Sequence, residues 1–331
     1  KEEASISYIS ALPNIKLLSY GVSSRFPISP KVQITYLAAL LLGILVPFGI
    51  FFLLKMLDTK INTRDDLENG LKGITVLGEM PFAENPNDAD DTGRGLIAES
   101  TRVLRAGLSF QLKTDATNVI CVTSTIKGEG KSFVSYNLAQ SYAALGKKVI
   151  LLGADLRNPQ LHKFLNQKRE KIGLTTYLSN ENFNDVDSLI TKAIKPGGLD
   201  YLLTGAIPPN PSELLMRSRT KELLDILKQS YDLILIDSAP LLLVSDTTAL
   251  LPLCDSVVYV TRSQYSEKKT FPFILDMQKR ANVPPFGMVL NGLRAGASTG
   301  SNYGYKYRYS YGYTYNYGYG YGYGSDADTE S

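Results

Sequence analysis

The stretch Thr123–Ser132, TSTIKGEGKS, gathers two glycines, two lysines and a serine into its last six positions. That set suits the holding of a polyphosphate. Gly128 and Gly130 let backbone amides turn inward onto phosphate oxygens. Lys131 brings a cation to the terminal phosphates, and Ser132 offers a hydroxyl to Mg²⁺. The pattern is that of a phosphate loop, G-x-x-x-x-G-K-[ST], with Thr125 where the first glycine would stand. With Glu129 inside the loop and Phe133 just after it, Lys127–Phe133 is the candidate nucleotide-binding set. Lys127 has two readings, a solvated loop charge or a second phosphate contact. Two acidic positions complete the chemistry. LILIDSAP runs through four apolar residues into Asp237, placed to hold Mg²⁺ through water. LLGADLRNP puts Asp155 and Arg157 directly after another apolar run, beside the same phosphates. The candidate catalytic residues are therefore Lys131, Asp155 and Asp237, and the candidate metal set is Ser132, Asp155 and Asp237.

These residues need a scaffold that brings strand ends together. NVICVTS (118–124), KVILLGAD (148–155), LDYLLTG (199–205), YDLILIDSAP (231–240), SVVYVT (256–261) and FGMVLNG (286–292) are apolar runs of strand length. Helical segments at 132–145, 212–231 and 267–282 separate several of them. Continuous Val/Ile/Leu runs alternating with helices predict an α/β fold, a doubly wound, mostly parallel sheet covered on both faces. The loop, preceded by a strand and followed by a helix, makes this a P-loop NTPase architecture. The helix N-terminus adds its dipole to the phosphate site.

Composition narrows the rest. The net charge of +3 is too small to argue for a nucleic-acid binder, and the single histidine, His162, argues against a histidine triad or zinc site. Cys121 and Cys254 lie in apolar runs and read as reduced core residues. Ile34–Leu57 carries one charge, Lys55, and is long enough to span a bilayer. Lys60, Arg64 and Lys72 follow it, which favours a cytoplasmic C-terminal side. The expected organisation is an extracytoplasmic stub at 1–31, a transmembrane helix at 32–57 and a polar juxtamembrane connector at 58–95. A nucleotide domain at 96–295 and a tail at 296–331 follow. Beginning at Lys1, the chain reads as part of something longer.

The tail alternates tyrosine with Gly, Lys, Arg, Ser, Thr or Asn. Tyr303, Tyr305, Tyr307, Tyr309, Tyr311, Tyr313, Tyr315, Tyr317, Tyr319, Tyr321 and Tyr323 are eleven of the chain's 21 tyrosines. Period two is the strand period, but the interspersed glycines weaken a strand and no second apolar face exists to bury. Taken alone, the run is a disordered adhesive segment or an array of acceptor hydroxyls.

The early lysine in KGEGKS resembles the phosphate loop of septum-positioning and plasmid-partition ATPases. Three nucleotide motifs, a membrane span before them and a tyrosine array after them resemble the bacterial tyrosine kinases, the cytoplasmic kinase parts of polysaccharide co-polymerases. ESTRVLR matches that family's E-x-x-R-x-x-R spacing with Glu99, Arg102 and Arg105. TGAIPPNPSELL and FPISPK match its proline loop and its approach to the second span. The resemblance implies an ATP- and Mg²⁺-dependent autokinase that phosphorylates its own tail in trans. It further implies a homo-oligomeric ring, an octamer, built through Glu99, Arg102 and Arg105, with the kinase and tail on the cytoplasmic side of the inner membrane. Polysaccharide polymerisation and export machinery and a tyrosine phosphatase are the implied partners, with no nucleic acid. One departure stands out: the family's second motif reads Asp-x-Asp-x-Arg, and Gly153 replaces its first aspartate. Two other readings stay open, a membrane-tethered partition-type switch ATPase and a nucleotide-binding length regulator without turnover.

Overall fold

The structure, a computed structural model, describes residues 21, 31–83, 95–114, 116–194, 198–242 and 245–294. The tyrosine run and most of the stub lie outside the described residues. The chain divides into two compact units, Lys1–Asp58 and Thr59–Ser331.

In the first unit, α1 (Val32–Met56) is a 25-residue helix containing Pro47. Gln33–Leu54 within it has a mean hydropathy of 2.7 and is exposed all round, so it is long and apolar enough to cross a membrane. A water-soluble surface helix would show a polar stripe, and this one has none.

The second unit is built on seven parallel strands: β1 (Thr75–Pro81), β2 (Asn118–Ser124), β3 (Val149–Gly153), β4 (Asp200–Leu202), β5 (Leu233–Asp237), β6 (Ser256–Arg262) and β7 (Phe286–Leu293). Their order is β1-β7-β6-β2-β5-β3-β4, and every pairing is parallel. Side chains alternate faces, so each central strand feeds two cores. On β6, Val258 and Val260 join one core while Val257 and Tyr259 join another. On β5, Leu233 and Leu235 face one way and Ile234 and Ile236 the other. Burial on both faces explains why these strands read as unbroken apolar runs.

The helices are α2 (Arg64–Gly70), α3 (Leu96–Ser109), α4 (Lys131–Ala143), α5 (Leu161–Phe164), α6 (Leu174–Ser179), α7 (Pro211–Leu215), α8 (Ser218–Leu227), α9 (Asp246–Leu250) and α10 (Phe271–Lys279). α3 and α4 share a core with β1 and β2 through Leu77, Leu104, Leu108, Ile120 and Leu138. β2 sits between β5 and β6, while the chain leaving β2 through α4 returns at β3, beyond β5. The carboxyl end of β2 is thus the topological switch point, where a doubly wound sheet opens a crevice.

Two departures from the sequence reading have local causes. Residues 59–81 are not a connector; they carry α2 and β1, and β1 pairs with β7. Ile61 is fully buried, and its backbone exchanges hydrogen bonds with Ser266 and Gln264. The helix expected over 212–231 is two helices, because Arg217 is extended (φ −68°, ψ 153°) at the start of α8.

Candidate nucleotide site

The phosphate loop leaves β2 at Ser124 and enters α4 at Lys131. Gly128 and Gly130 adopt φ of 87° and 95°, the left-handed region that L side chains avoid. Gly130 has a second reason to lack a Cβ, which would sit 2.0 Å from Asn291 Nδ2. Asn291, at the end of β7, donates that nitrogen to Glu129 O at 2.9 Å.

Glu129 does not face the mouth of the loop. Its carboxylate is buried and turned back, accepting from Ile126 N at 2.7 Å and from the Ser266 hydroxyl. Burial pushes its acid above the ordinary carboxylate range. Pointed outward, it would oppose phosphate charge; pointed inward, it shapes the loop. The end of β6 and the turn after it grip the loop at two further points: Arg262 Nη1 donates to Gly128 O at 2.9 Å and the Tyr265 hydroxyl to Lys127 O at 3.0 Å. The Lys127 residue is exposed.

Three charged side chains converge behind the loop. Lys131 Nζ lies 2.9 Å from Asp155 Oδ2, both side chains nearly buried. Ser132 Oγ donates to Asp237 Oδ2 at 2.6 Å, and Ser135 Oγ to Asp237 Oδ1 at 3.3 Å. Burial pushes the Asp237 acid up to about 6, against the pull of Lys131. Burial alone would lower the Lys131 ammonium, but Asp237 and Asp155 outweigh it and hold it above its ordinary value. The expected catalytic and metal residues thus come together from β2–α4, β3 and β5. A hydroxyl paired with a carboxylate at the loop's base is a donor set suited to Mg²⁺, which takes few protein ligands and keeps waters. No cluster of three or more His, Cys, Asp or Glu able to hold a metal occurs among the described residues, and Asp155, the third expected metal residue, is engaged by Lys131 at 2.9 Å, so such an ion would rely on Ser132, Asp237 and phosphate oxygens.

Phe133 follows the loop in the first turn of α4, with its ring centroid 6.3 Å from that of Phe164. Beside it opens a cavity of about 150 Å³, lined by Phe82, Phe133, Phe164, Arg262 and Asn291.

Gly153 ends β3. A Cβ there would lie 3.2 Å from Thr204 Oγ1, whose hydroxyl donates to Gly153 O at 2.8 Å. Threonine packing thus fills part of the place an aspartate would need.

The candidate assembly residues divide. Arg102 Nη1 pairs with Glu99 Oε2 at 2.7 Å in solvent, whereas Arg105 Nη1 donates to Ser141 Oγ at 2.8 Å and to Ser141 O on α4. Six residues fall about 120° short of two full turns, so Arg105 swings off the stripe shared by Glu99 and Arg102.

Asp246, Asn291, Thr204 and Ser266 were not among the sequence candidates. Each reaches the site from a distant element, with no local motif to mark it.

Residues 117–282 match the family model described as AAA domain. The tyrosine-protein kinase etk of Escherichia coli K12 is 30% identical over 327 residues, covering 92% of this chain and 44% of that protein. A Klebsiella pneumoniae protein named for a tyrosine-protein kinase in the cps region is 31% identical, with 88% of this chain and 42% of the relative covered. The chain thus spans less than half the length of these relatives. Among solved structures, the kinase domain of the E. coli tyrosine kinase ETK superposes with a TM-score of 0.65 at 31% identity, covering 74% of this chain and all of that one. The BceF tyrosine kinase domain gives 0.60 at 28% identity, covering 71% and 99%. With the phosphate loop, both aspartates and the seven-stranded sheet in place, the chain belongs to the bacterial tyrosine kinases.

Proposed function

We propose that the chain is an ATP-dependent tyrosine autokinase whose acceptors are the eleven tail tyrosines, presented by one subunit to the crevice of another. The observation that carries this reading is the meeting of Lys131, Asp155, Ser132 and Asp237 at the N-terminus of α4, with Lys131 2.9 Å from Asp155. In transfer, the phenol oxygen bonds to the γ-phosphorus, the bond to the β-phosphate oxygen breaks, and ADP leaves. A phenol with a pKa near 10 attacks poorly unless its proton is taken, and Asp155 would be the carboxylate that accepts it. Lys131 turns its charge to the β- and γ-phosphates, and loop amides with the α4 N-terminus hold their oxygens. Bound at Ser132 and Asp237, Mg²⁺ would neutralise charge on the transferring group. The cavity beside Phe133, with the Asn291 amide at its edge, suits the nucleotide base.

α1 would hold the kinase at the inner face of the cytoplasmic membrane. Dephosphorylated subunits assemble as a ring, phosphorylate one another and separate when heavily modified, in service of capsule or exopolysaccharide polymerisation and export. A tyrosine phosphatase returns them to the start. The cps-region relative and the ETK kinase domain support this setting.

The test is incubation with Mg-ATP followed by phosphotyrosine detection and intact mass, in parallel with ADP release. Added phosphates on the tail support the proposal. ADP release with no phosphotyrosine would instead establish the switch-ATPase reading.

A further inference from the structure

Asp246 belongs to none of the nucleotide motifs, yet its carboxylate is fully buried and joins three loops at the carboxyl edge of the sheet. Arg157 Nε donates to Asp246 Oδ2 at 2.7 Å and Arg157 Nη2 to Oδ1 at 3.1 Å, a two-pronged pair. The Ser212 hydroxyl also donates to Oδ1, and Ser245 Oγ donates to Ser212 Oγ at 3.3 Å. Arg157 lies two residues beyond Asp155. Ser212 is the second residue of α7, immediately after Pro-Pro-Asn-Pro, a sequence motif with no role in the mechanism above. Asp246 opens α9, downstream of the Asp237 strand end.

The Asp155 turn has inner anchors of its own. Ala154 N donates to Asp237 O at 2.8 Å, Asn158 N to Asp155 Oδ1 at 2.9 Å, and Leu156 is fully buried. On its outer side the knot at Asp246 is the charged tie. Only the Asp246 end is buried, the Arg157 side chain being 45% exposed, and a pair open to water on one side is a poor device for stability alone. It is a good device for fixing an angle, since the guanidinium fork accepts only a narrow geometry.

We propose that Asp246 is a positioning residue for Asp155: through Arg157 it sets the carboxylate's place beside Lys131, and through Ser212 it fastens the proline loop to the same point. The inference rests on the reading of Asp155 as the transfer base. A reacting group displaced by about 1 Å loses on the order of a hundredfold in rate. The inner anchors remain when the knot is cut, so the fold survives.

The experiment is steady-state tail phosphorylation by the full chain in detergent, comparing wild type with Asp246→Asn, Arg157→Lys, Arg157→Ala and the pair Arg157→Ala/Asp246→Asn. Asp246→Asn keeps the shape and the Ser212 contact while removing the charge. Its kcat is expected to fall roughly ten- to hundredfold with the KM for ATP within about twofold. Arg157→Ala should match it, Arg157→Lys should recover part of the loss, and the double variant should be no worse than the poorer single, as for two ends of one tie. An unchanged kcat in Asp246→Asn overturns the proposal. So do single effects that multiply, or kcat and ATP affinity falling together with melting temperature. Asp155→Asn is the control: if it is inactive while Asp246→Asn is normal, only the positioning role fails, and if it transfers at the wild-type rate, the reading of Asp155 fails with it.

Discussion

Lys131, Asp155 and Asp237 are withdrawn from water in the crevice, while Glu99 and Arg102 stand in solvent on α3 with side chains 63% and 47% exposed. Both groups pair opposite charges within 3 Å, yet their energetics differ. Removing an ion from water costs several kcal/mol even after relaxation, and mutual attraction repays it only in good geometry. The crevice bears that cost three times within one small volume. The α3 pair bears almost none and returns about 0.5 kcal/mol or less. Where charge is expensive, chemistry is the natural reason to keep it; where it is cheap, the fold gives no reason, and a partner must supply one.

The largest expected effect breaks the crevice. Lys131→Met should lower phosphotyrosine formation by roughly a thousandfold or more, since it removes charge stabilisation in transfer. It also leaves Asp155 and Asp237 without their cation. Melting temperature should therefore hold near pH 6, where Asp237 takes up a proton, and drop toward pH 8. Undiminished phosphotyrosine in the purified variant would sink the site assignment.

Asp237 sharpens the comparison through pH. Its folded value of about 6 lies above the unfolded 3.8. Below 3.8 both states are protonated and the group is neutral in its effect on stability. Between 3.8 and about 6 the folded state loses ground, and above that the full penalty applies. The shift corresponds to about 3 kcal/mol at most. Without nucleotide, Asp237→Asn should be more stable than wild type at pH 8 and equal to it near pH 3.5. Mg-nucleotide should reverse the order at pH 8. A pH-independent difference in denaturant midpoints would contradict the assignment of that penalty to Asp237.

A smaller effect tests the motif's missing carboxylate. In Gly153→Asp the new Cβ meets Thr204 Oγ1 at 3.2 Å, so Thr204 must yield by a few tenths of an ångström. Overpacking of this kind costs about 1–3 kcal/mol. Gly153→Asp alone should lower the melting temperature without raising kcat, and adding Thr204→Ala should restore the stability. A faster enzyme from the single change would show that Thr204 gives way freely and that the lost carboxylate was a handicap.

The crevice was legible in the sequence because its parts are local. A glycine pair fixes a left-handed turn, a lysine follows, and an apolar run ends in each aspartate. What surrounds the crevice was not legible, because each contact joins residues far apart: Arg157 and Asp246 are 89 positions apart, Ser266 and Glu129 137, Asn291 and Glu129 162. The same limit hid β1. TVLGEMP lacks the unbroken Val/Ile/Leu run of a central strand, since it is an edge strand paired only with β7. On α3 the motif spacing was visible, but not that the third residue would turn toward Ser141.

That division of α3 decides how assembly is to be tested. Arg105→Ala unties α3 from α4 and should cost about 1–2 kcal/mol, because it strands polar groups at a part-buried hydrogen bond. Any loss of oligomer in an Arg102→Ala/Arg105→Ala variant would then mix a loosened helix with a lost interface. Arg102→Ala is the cleaner break. Its partner Glu99 is exposed, so the monomer should change by about 0.5 kcal/mol or less. Light scattering of the detergent-solubilised chain should nevertheless show the assembly fall toward monomer, with the melting temperature unmoved. Phosphorylation should act in the same direction from the other end. Lys306 and Arg308 nearly balance Asp326, Asp328 and Glu330 in the unmodified tail. Modifying most of the eleven tyrosines would add charge on the order of −15 to −20. Added salt should partly restore phosphorylated assemblies by screening the tails, but should not rescue Arg102→Ala, whose defect would be a lost contact. An Arg102→Ala chain that keeps its full assembled mass would leave the outer face of α3 with no role in assembly.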